Sequence, residues 1–404
     1  MDEVQPNADR ADAASAGAVF LAFLRQGLTA FGGPVAHIGY FRRDFVERRK
    51  WLSEGDFADL LALAQFLPGP ASSQLGMAIG LRRAGGLGLL AAWLGFTLPA
   101  AVLMIALAYA SPWLGDTFGG GWRHGLKVAA AAVVAQALWA MARQLARGPE
   151  RAGMAIGAAA GLMLSHGGPA AQMLALVAGA GFGWALLREP APDTPDLVRP
   201  PPPGRAPLAA LAAFAVLLGL APFAAAALHA PLLGLASVFY RTGALVFGGG
   251  HVVLPLLQSE VVGRGWLSRD TFLTGYGAAQ AMPGPLFGFA AFVGAAQTGA
   301  PGGWLGGLVA VSAIFLPSLL LVAGLVPYWD RLKHEPAARG AVAGVNAVVV
   351  GLLAAALWDP VLTGAVRQPR DWALVAAAYI FLAVAKLPPW LVVIGFAVAN
   401  GVLT

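Results

Sequence analysis

Long runs of apolar residues, separated by short polar segments, dominate the chain. The longest runs occupy residues 87–110, 128–141, 170–187, 208–228, 305–327 and 341–357. Several reach the roughly 20 residues that a helix needs to cross the hydrocarbon layer of a membrane. The runs do not alternate between apolar and polar positions, as the strands of a membrane barrel would, so they predict helices. We expect an all-α polytopic membrane protein with about 10–12 transmembrane segments.

The polar and glycine-containing segments between these runs occur twice along the chain. Residues 31–70 begin Phe-Gly-Gly, pass Trp-Leu-Ser and end in Pro-Gly-Pro, and residues 247–285 repeat this order with one single-residue gap. A period of about 215 residues is the length of a duplicated half-protein. We therefore predict a polar tail (1–15), a first repeat (16–187), a Pro-rich linker (188–207), an unpaired spacer helix (208–230) and a second repeat (231–404).

The distribution of basic residues bears on the relative orientation of the repeats. The first repeat carries five Lys and Arg residues within 42–50, whereas the second carries Arg331, Lys333 and Arg339 in a later loop. Basic residues at different loops favour inverted repeats, because cytoplasmic loops are rich in Lys and Arg. The basic segment 143–151 matches Arg367 and Arg370, however, which favours parallel repeats. Inversion is the preferred interpretation, and the parallel arrangement stays open at this point.

Composition excludes several classes of protein. Charged residues make up 11% of the chain, against about 25% in soluble domains. The net charge of +6 lies in short loops, which indicates membrane topology rather than nucleic-acid binding.

The chain has no Cys, and its start lacks the basic and apolar regions of a cleavable signal. His37 and His251 lack convergent ligands, and no phosphate-binding loop or catalytic motif occurs, so we expect no metal, cofactor, ATP motor or enzyme activity.

The two Pro-Gly-Pro motifs carry the main functional hypothesis. Proline removes a helix donor and clashes with the preceding turn, and a broken helix survives in a membrane only beside protein or a water-filled cavity. Matching breaks in two repeats point to a transporter's substrate site, and the new helix N-termini favour anions. A simple turn is the alternative for either copy alone. The candidate substrate-binding residues are Phe31, Gly32, Gly33, Gln65, Pro68, Gly69, Pro70 and Ser72, with Phe247, Gly248, Gly249, Gln280, Pro283, Gly284 and Pro285 in the second repeat.

Two pairs of charged residues also match between the repeats. Arg25 and Arg241 each stand six residues before the repeated Phe, inside an apolar segment. An arginine there is costly and usually faces a cavity or partner, and its planar fork suits an oxyanion; the alternative is an arginine that reaches the membrane surface. Asp44 and Glu260 match as well. They are candidates to carry a coupling proton, although pairing with nearby basic residues is the simpler interpretation.

The doubled pattern FGGP…HIGYF…WLS…QFLPGP and FGGG…WL…QAMPGP resembles the chromate ion transporter family in its long, two-domain form, over essentially the whole chain. The resemblance implies a secondary transporter that exports chromate from the cytoplasm and confers chromate resistance, driven by membrane potential, proton coupling or both. The membrane potential favours export, because each negative charge that leaves a cell with a negative interior lowers its free energy by about 2.3 kcal/mol per 100 mV.

Two other functions remain open from the sequence. One is an importer or exchanger of sulfate or another oxyanion, since sulfate is a tetrahedral dianion of similar size. The other is a membrane scaffold or sensor that transports nothing. The expected partners are a chromate or sulfate anion and the lipid bilayer, with no nucleic acid, and a homodimer is one oligomeric state to consider. The expected location is multi-pass in the cell membrane.

Overall fold

The computed structural model describes residues 15–165, 168–187, 204–247, 249–299 and 301–403, and the regular structure within these ranges is helical. The first repeat contains α1 (Ala16–Thr29), α2 (Gly33–Phe41, continued by a π-helix Arg42–Arg48), α3 (Glu54–Phe66), α4 (Ala71–Phe118), α5 (Gly121–Leu145), α6 (Pro149–Leu164) and α7 (Pro169–Leu186). The second contains α9 (Pro231–Leu245), α10 (Val253–Val261), α11 (Arg269–Ala279), α12 (Phe289–Ala296), α13 (Gly303–Leu325), α14 (Trp329–Leu332), α15 (Pro336–Ala356), α16 (Thr363–Ala365), α17 (Pro369–Ala383) and α18 (Pro389–Leu403).

One helix, α8 (Arg205–Leu228), stands between the repeats. It begins inside the stretch 188–207 that the sequence assigned to a linker, and the part of that stretch before residue 204 lies outside the described residues. Pro207 does not prevent the earlier start, because proline is tolerated in the first turn of a helix, where N–H groups have no intrahelical partner. The spacer helix is therefore slightly longer at its N-terminus than predicted.

Six described helices are long and apolar enough to cross a membrane. They are Ala71–Thr117, Gly121–Leu145, Pro169–Leu186, Arg205–Leu228, Gly303–Tyr328 and Pro336–Ala365. The shorter apolar helices Ala16–Thr29, Leu286–Ala296 and Pro389–Val402 add further hydrophobic segments. The first of these ends just before Phe-Gly-Gly and the second begins just after Pro-Gly-Pro. Part of the hydrophobic pattern therefore belongs to the arms of broken helices.

The helix α4 consists of two arms that fold against each other. Ala84 and Gly85 have non-helical backbone angles, and Gly85 adopts a φ of +60°. Across this kink Gly80 and Gly88 approach so closely that a Cβ on either would overlap the backbone carbonyl of the other. The arm 71–83 consequently runs back beside the start of the longer arm. Together with α3 it forms a hairpin whose tip is the first Pro-Gly-Pro turn.

The two repeats are inverted, as the distribution of basic residues between their loops predicts. The long arm of α4 and its counterpart α13 pack antiparallel: the rings of Trp93 and Phe315 lie 6.3 Å apart, and the Trp304 N–H donates to the Tyr109 hydroxyl at 2.9 Å. Residue numbers thus rise along one helix as they fall along the other. Because α8 adds one crossing between the repeats, the second repeat begins at the opposite end from the first.

Charged contacts define the two ends of the molecule. At the basic end, Arg82 pairs with Asp56 at 2.7 Å and Lys333 pairs with Asp59 at 3.3 Å. The Lys and Arg residues of this end are Arg42, Arg43, Arg48, Arg49, Lys50, Arg82, Arg83, Arg143, Arg147, Arg151, Lys333 and Arg339. The opposite end carries Arg123, Lys127, Arg264, Arg269, Arg367 and Arg370. Here the acidic partners include Asp270, Asp359 and Asp371.

The last helix pair of each repeat packs against the other repeat. The pair α6–α7 packs against α15, and the equivalent pair α17–α18 packs against α5. Glycine permits both contacts, because a Cβ on Gly344 would overlap the backbone of α7 and a Cβ on Gly125 would overlap the backbone of α18. Close backbone approach supplies van der Waals contact, which stabilises helices in a medium as apolar as leucine itself. The exchange ties the two halves into one body.

Candidate functional site

The two Pro-Gly-Pro turns lie at the interface of the repeats and are held by reciprocal hydrogen bonds. The Gly69 N–H donates to the Val246 carbonyl at 2.6 Å, and the Gly284 N–H donates to the Ala30 carbonyl at 2.9 Å. Ala30 and Val246 occupy equivalent positions, each directly before the repeated Phe. Such reciprocal pairing is what a two-fold relation between the halves produces. Each helix break is therefore anchored on the first helix of the other repeat.

Polar side chains surround the first turn. The Gln74 Nε2 donates to the Pro68 carbonyl at 2.6 Å and to the Ser318 Oγ of α13 at 3.2 Å. Gln74 and Ser318 are fully buried. Gly69 has a φ of +132°, and a Cβ at this position would overlap both of these side chains. The turn is thus fixed by one glutamine that bridges the two repeats.

Several buried polar atoms near this turn have no hydrogen-bond partner among the described residues. They are Nε2 of His37, Oγ of Ser73, Oε1 of Gln74 and Oγ1 of Thr97. All four side chains are more than nine-tenths buried. His37 lies beside the first turn of α4, because its Nδ1 lies 3.3 Å from the Ser72 Oγ, and its ring packs on Phe96 with centroids 5.2 Å apart.

The first turn of α4 adds backbone donors to this group. Its N-cap, Pro70, offers no side-chain acceptor to the N–H groups that follow. Those N–H groups and the helix dipole favour a negative charge. Unpartnered buried polar groups are rare in native proteins and call for a water, an ion or a ligand. The arrangement is suited to hydrogen bonding of an oxyanion, because hydroxyl groups and backbone N–H groups can donate to its oxygens.

The second turn has a different chemistry. The positions equivalent to Gln74 and Ser318 are Phe289 and Ala100. A Cβ on Gly284 would lie 3.1 Å from the Phe96 carbonyl and 3.3 Å from the Ala100 Cβ. At these two positions the second turn therefore carries apolar side chains where the first turn carries Gln74 and Ser318.

The predicted site residues separate into two groups. Pro68, Gly69, Pro70 and Ser72 lie in the polar site, and Pro283, Gly284 and Pro285 form the buried second turn. Gln65 and Gln280 do not join their turns: the first is exposed at the basic end, and the second donates to the Tyr276 carbonyl of its own helix at 3.5 Å.

The Phe-Gly-Gly segments form the tips of the helix pairs α1–α2 and α9–α10. Gly32, Gly33 and Gly249 adopt positive φ, as a tight reversal requires. Phe31 contacts Trp390 of the other repeat, with ring centroids 5.7 Å apart. Phe247 is half-buried, and Gly248 lies outside the described residues. These segments therefore shape the interface of the repeats, and the structure assigns them no polar contact with the first turn.

The two matched arginines do not share one environment, contrary to the sequence expectation. Arg25 lies on the exposed face of α1, and its neighbour Gln26 takes the buried position. Arg241 is half-buried and donates to Glu260. A step of one residue turns a helical side chain by about 100°, so spacing alone did not identify the inward face. The structure therefore does not give Arg25 and Arg241 a common environment, and their contact with an anion stays a prediction.

Asp44 and Glu260 are buried and paired with arginines in both repeats. The Arg49 Nε lies 3.2 Å from the Asp44 Oδ2, and the Arg264 Nη2 lies 2.9 Å from the Glu260 Oε2. Arg49 and Arg264 also stack on the tryptophans of the two Trp-Leu-Ser motifs. The acid–arginine–tryptophan arrangement is thus repeated in both halves, and a role of Asp44 and Glu260 in proton coupling stays a prediction.

Gln74, Ser318, His37, Ser73 and Thr97 received no site assignment from the sequence. Gln74 and Ser73 follow Pro-Gly-Pro directly, and Ser318 follows the Leu-Pro pair that recurs in both repeats. Their position beside repeated motifs was the available signal. Among the described residues, no group of three or more His, Asp or Glu side chains converges as metal ligands would.

Comparison with known proteins places these features in a family. The family model for chromate transporters matches residues 17–184 and 233–401, that is, both repeats. The "Chromate transport protein" of Pseudomonas aeruginosa is 33% identical over 377 residues, covering 87% of this chain and 82% of that protein. The "Probable chromate transport protein" of Synechococcus elongatus is 32% identical, covering 83% and 82%.

Shorter relatives match one part of the chain. The "Uncharacterized transporter YwrA" of Bacillus subtilis is 34% identical over 123 residues, which cover 30% of this chain and 67% of that protein. No solved structure matches the chain. The family model covers both repeats, two long relatives match over most of the chain, and the chain belongs to the chromate transporter family.

Proposed function

We propose that the protein is a secondary transporter that exports chromate from the cytoplasm and binds the anion at the first Pro-Gly-Pro turn. The observation that carries this proposal is a buried helix break, rich in hydrogen-bond donors, at the interface of two inverted repeats. Ser73 and His37 offer polar atoms without protein partners among the described residues, beside the N–H groups of the first turn of α4. Broken helices at a repeat interface are where transporters of this architecture bind substrate.

Access to the site would alternate between the two ends. In inverted repeats, one half can adopt the conformation of the other, and this exchange moves the opening across the membrane. The hydrogen bonds of Gly69 to Val246 and of Gly284 to Ala30 cross the interface at which the halves would slide. We infer that these two bonds and the Gln74–Ser318 contact change during the cycle.

Charge supports the proposed direction of transport. The basic end is the cytoplasmic one by the positive-inside rule. A chromate dianion that leaves a cell negative inside gains about 2.3 kcal/mol per charge per 100 mV, roughly 4–5 kcal/mol in total. Membrane potential alone can therefore drive export and make the cell resistant to chromate. Import would require co-transported cations to reverse this sign.

Inside-out membrane vesicles from cells that express the protein test the proposal. We expect chromate uptake that exceeds that of control vesicles, rises when the vesicle interior is made positive, and falls when valinomycin and potassium collapse the potential. Chromate uptake that does not depend on the membrane potential and is fully competed by sulfate would instead indicate an oxyanion exchanger. Vesicles that take up no chromate above the control would contradict transport itself.

A further inference from the structure

The polar site at the first Pro-Gly-Pro turn contains a side chain that can change its charge. His37 of α2 is buried, and its Nδ1 lies 3.3 Å from the Ser72 Oγ in the first turn of α4. Its Nε2 has no hydrogen-bond partner among the described residues. Gln74 and Ser318, which fix the turn, carry an amide and a hydroxyl that stay neutral. Among these side chains, His37 is therefore the one that can supply a positive charge to the site.

A dianion at this turn needs more positive charge than the backbone offers. The N-terminus of a helix is equivalent to about half a positive charge, whereas chromate carries two negative charges. In this structure Arg25 is exposed and Arg241 donates to Glu260. A proton on His37 would add a full positive charge in a buried place, where charges interact more strongly than in water. The site should therefore bind a dianion better when the ring is protonated.

The other titratable groups on α2 and on the π-helix that continues it are held or exposed. Tyr40 of α2 is half-buried. Asp44 of the π-helix lies 3.2 Å from the Arg49 Nε and accepts a hydrogen bond from the Gln26 Nε2 at 3.0 Å. The remaining charged side chains of the π-helix are exposed. The buried carboxylate of this segment thus has its own partners.

The helix α4, which packs against α2, brings apolar and neutral groups to His37. The imidazole packs on Phe96 with ring centroids 5.2 Å apart, and the backbone of Ala30 lies beside it. Arg82 pairs with Asp56 at 2.7 Å. The other charged side chains of α4 are Arg83, which stacks on Trp51, and Asp116, which lies in the last turn. The charge of the ring is consequently set by burial and by what the site binds.

We propose that His37 takes up a proton when a tetrahedral dianion binds at the first turn of α4 and releases it when the anion leaves. This inference rests on the proposed function. In the empty site, burial disfavours the charged ring, and the Ser72 hydroxyl can donate to Nδ1. A bound dianion reverses this preference, and a proton from solution makes both ring nitrogens donors. The Nδ1–H then donates to the Ser72 Oγ, and the Ser72 hydroxyl proton becomes available to an oxygen of the anion.

This exchange makes anion binding and proton binding depend on each other. If the anion favours the proton, the proton favours the anion by the same factor. The affinity for a dianion should therefore fall as the pH rises, by up to about tenfold per pH unit where one proton is taken up with each anion. One negative charge would still leave the cell with each chromate, so the membrane potential would still favour export.

Initial rates of chromate uptake into inside-out vesicles, with the same pH on both sides, test the proposal. We expect the wild-type KM to rise by up to about tenfold per unit between about pH 6 and 8, relative to the KM of His37→Asn. Asparagine keeps a polar atom for Ser72 but takes up no proton. Because both proteins are measured in the same buffers, the protonation of chromate itself cancels in the comparison.

His251→Asn is the matched control. His251 belongs to the second repeat, stands beside the second Phe-Gly-Gly, and bonds to the Tyr276 hydroxyl at 2.8 Å through its Nδ1. This variant should keep the wild-type dependence of KM on pH.

Proton uptake by the purified protein gives a direct measurement. Chromate adjusted to about pH 8 is added to the protein in weakly buffered detergent solution at the same pH. We expect the wild type to take up about one proton per bound anion and His37→Asn to take up none.

The outcomes separate the role of His37 from the transport function. Parallel KM profiles for wild type and His37→Asn, or equal proton uptake by both, would overturn the role of His37 alone. So would a wild type that binds chromate without taking up a proton, and so would an equal loss of pH dependence in His251→Asn. Vesicles without chromate transport above the control would overturn the proposed function. If His37→Asn fails to reach the membrane, His37→Gln places an amide near the position of Nε2 and is expected to lose the proton uptake in the same way.

Discussion

Gly69 is a position where backbone conformation and packing both exclude a side chain. Its φ is +132°, and a Cβ would overlap Gln74 and Ser318. We expect Gly69→Ala to lower the free energy of unfolding by about 2–4 kcal/mol, from left-handed strain and overpacking. Chromate transport should fall at least about tenfold, because the displaced Gln74 would release the turn. Thermal unfolding in detergent and vesicle flux measure the two effects.

A substitution at Gly119 separates the effect of backbone strain from the effect of atomic overlap at Gly69. Gly119 has a φ of +68°, and a Cβ there would meet nothing within 4 Å. Gly119→Ala therefore imposes backbone strain alone, of about 1–3 kcal/mol, because its positive φ is combined with a ψ of −160°. The site is far along the sequence from the turn, so transport should stay near the wild-type rate. Wild-type flux in Gly69→Ala would show that the turn tolerates a side chain and that Gln74 does not fix the site.

At the scale of elements, one buried ion pair joins α3 to the segment after α14. Asp59 and Lys333 are both almost fully buried and belong to different repeats. Removing one member leaves the other charge buried without its partner. Lys333→Met should therefore lower the free energy of unfolding by about 3–5 kcal/mol. Lys333→Met combined with Asp59→Asn should recover part of this loss, because the fully buried Asp59 charge is removed, while Asp330, which also pairs with Lys333, keeps its charge. A double mutant as unstable as the single mutant would contradict the pairing.

The same ion pair has a definite pH dependence. Burial opposes the charge on Lys333, yet Asp330 and Asp59 raise the pKa of this lysine above its ordinary value of 10.5. A group with a raised pKa stabilises the folded state fully below its ordinary value and loses this effect as the pH rises through the raised value. The stability difference between wild type and Lys333→Met should therefore stay constant from about pH 6 to 9 and shrink only above pH 10.5.

The elements also show what the sequence could and could not predict. Two proline-containing breaks and a duplicated order of motifs are local features, so Pro68–Pro70 and Pro283–Pro285 were identifiable without coordinates. The partners of those breaks are long-range: nothing in the spacing indicated that Gly69 would bond to Val246. The inward face of a helix is likewise set by its neighbours. For this reason the sequence did not show that Gln26, and not the adjacent Arg25, takes the buried position on α1.

At the scale of the whole molecule, the exchange of helix pairs makes the two repeats depend on each other. The pair α6–α7 covers α15 of the second repeat, and α17–α18 covers α5 of the first. The Pro-Gly-Pro turns are anchored across the same interface. A movement of one repeat therefore shifts both breaks together, which is the coupling that alternating access needs.

Inversion of the repeats predicts that equivalent loops face opposite sides of the membrane. Ser53 and Ser268 are equivalent exposed N-cap residues, each accepting a hydrogen bond from the N–H three residues on at 3.1 Å. The chain has no Cys, so Ser53→Cys and Ser268→Cys each introduce a single thiol. A membrane-impermeant maleimide should label Ser268→Cys in intact cells or spheroplasts and Ser53→Cys only in inside-out vesicles, because the basic end faces the cytoplasm. Labelling of both thiols from one side would contradict the inverted arrangement, and labelling with the two sides exchanged would reverse the assigned direction of chromate entry.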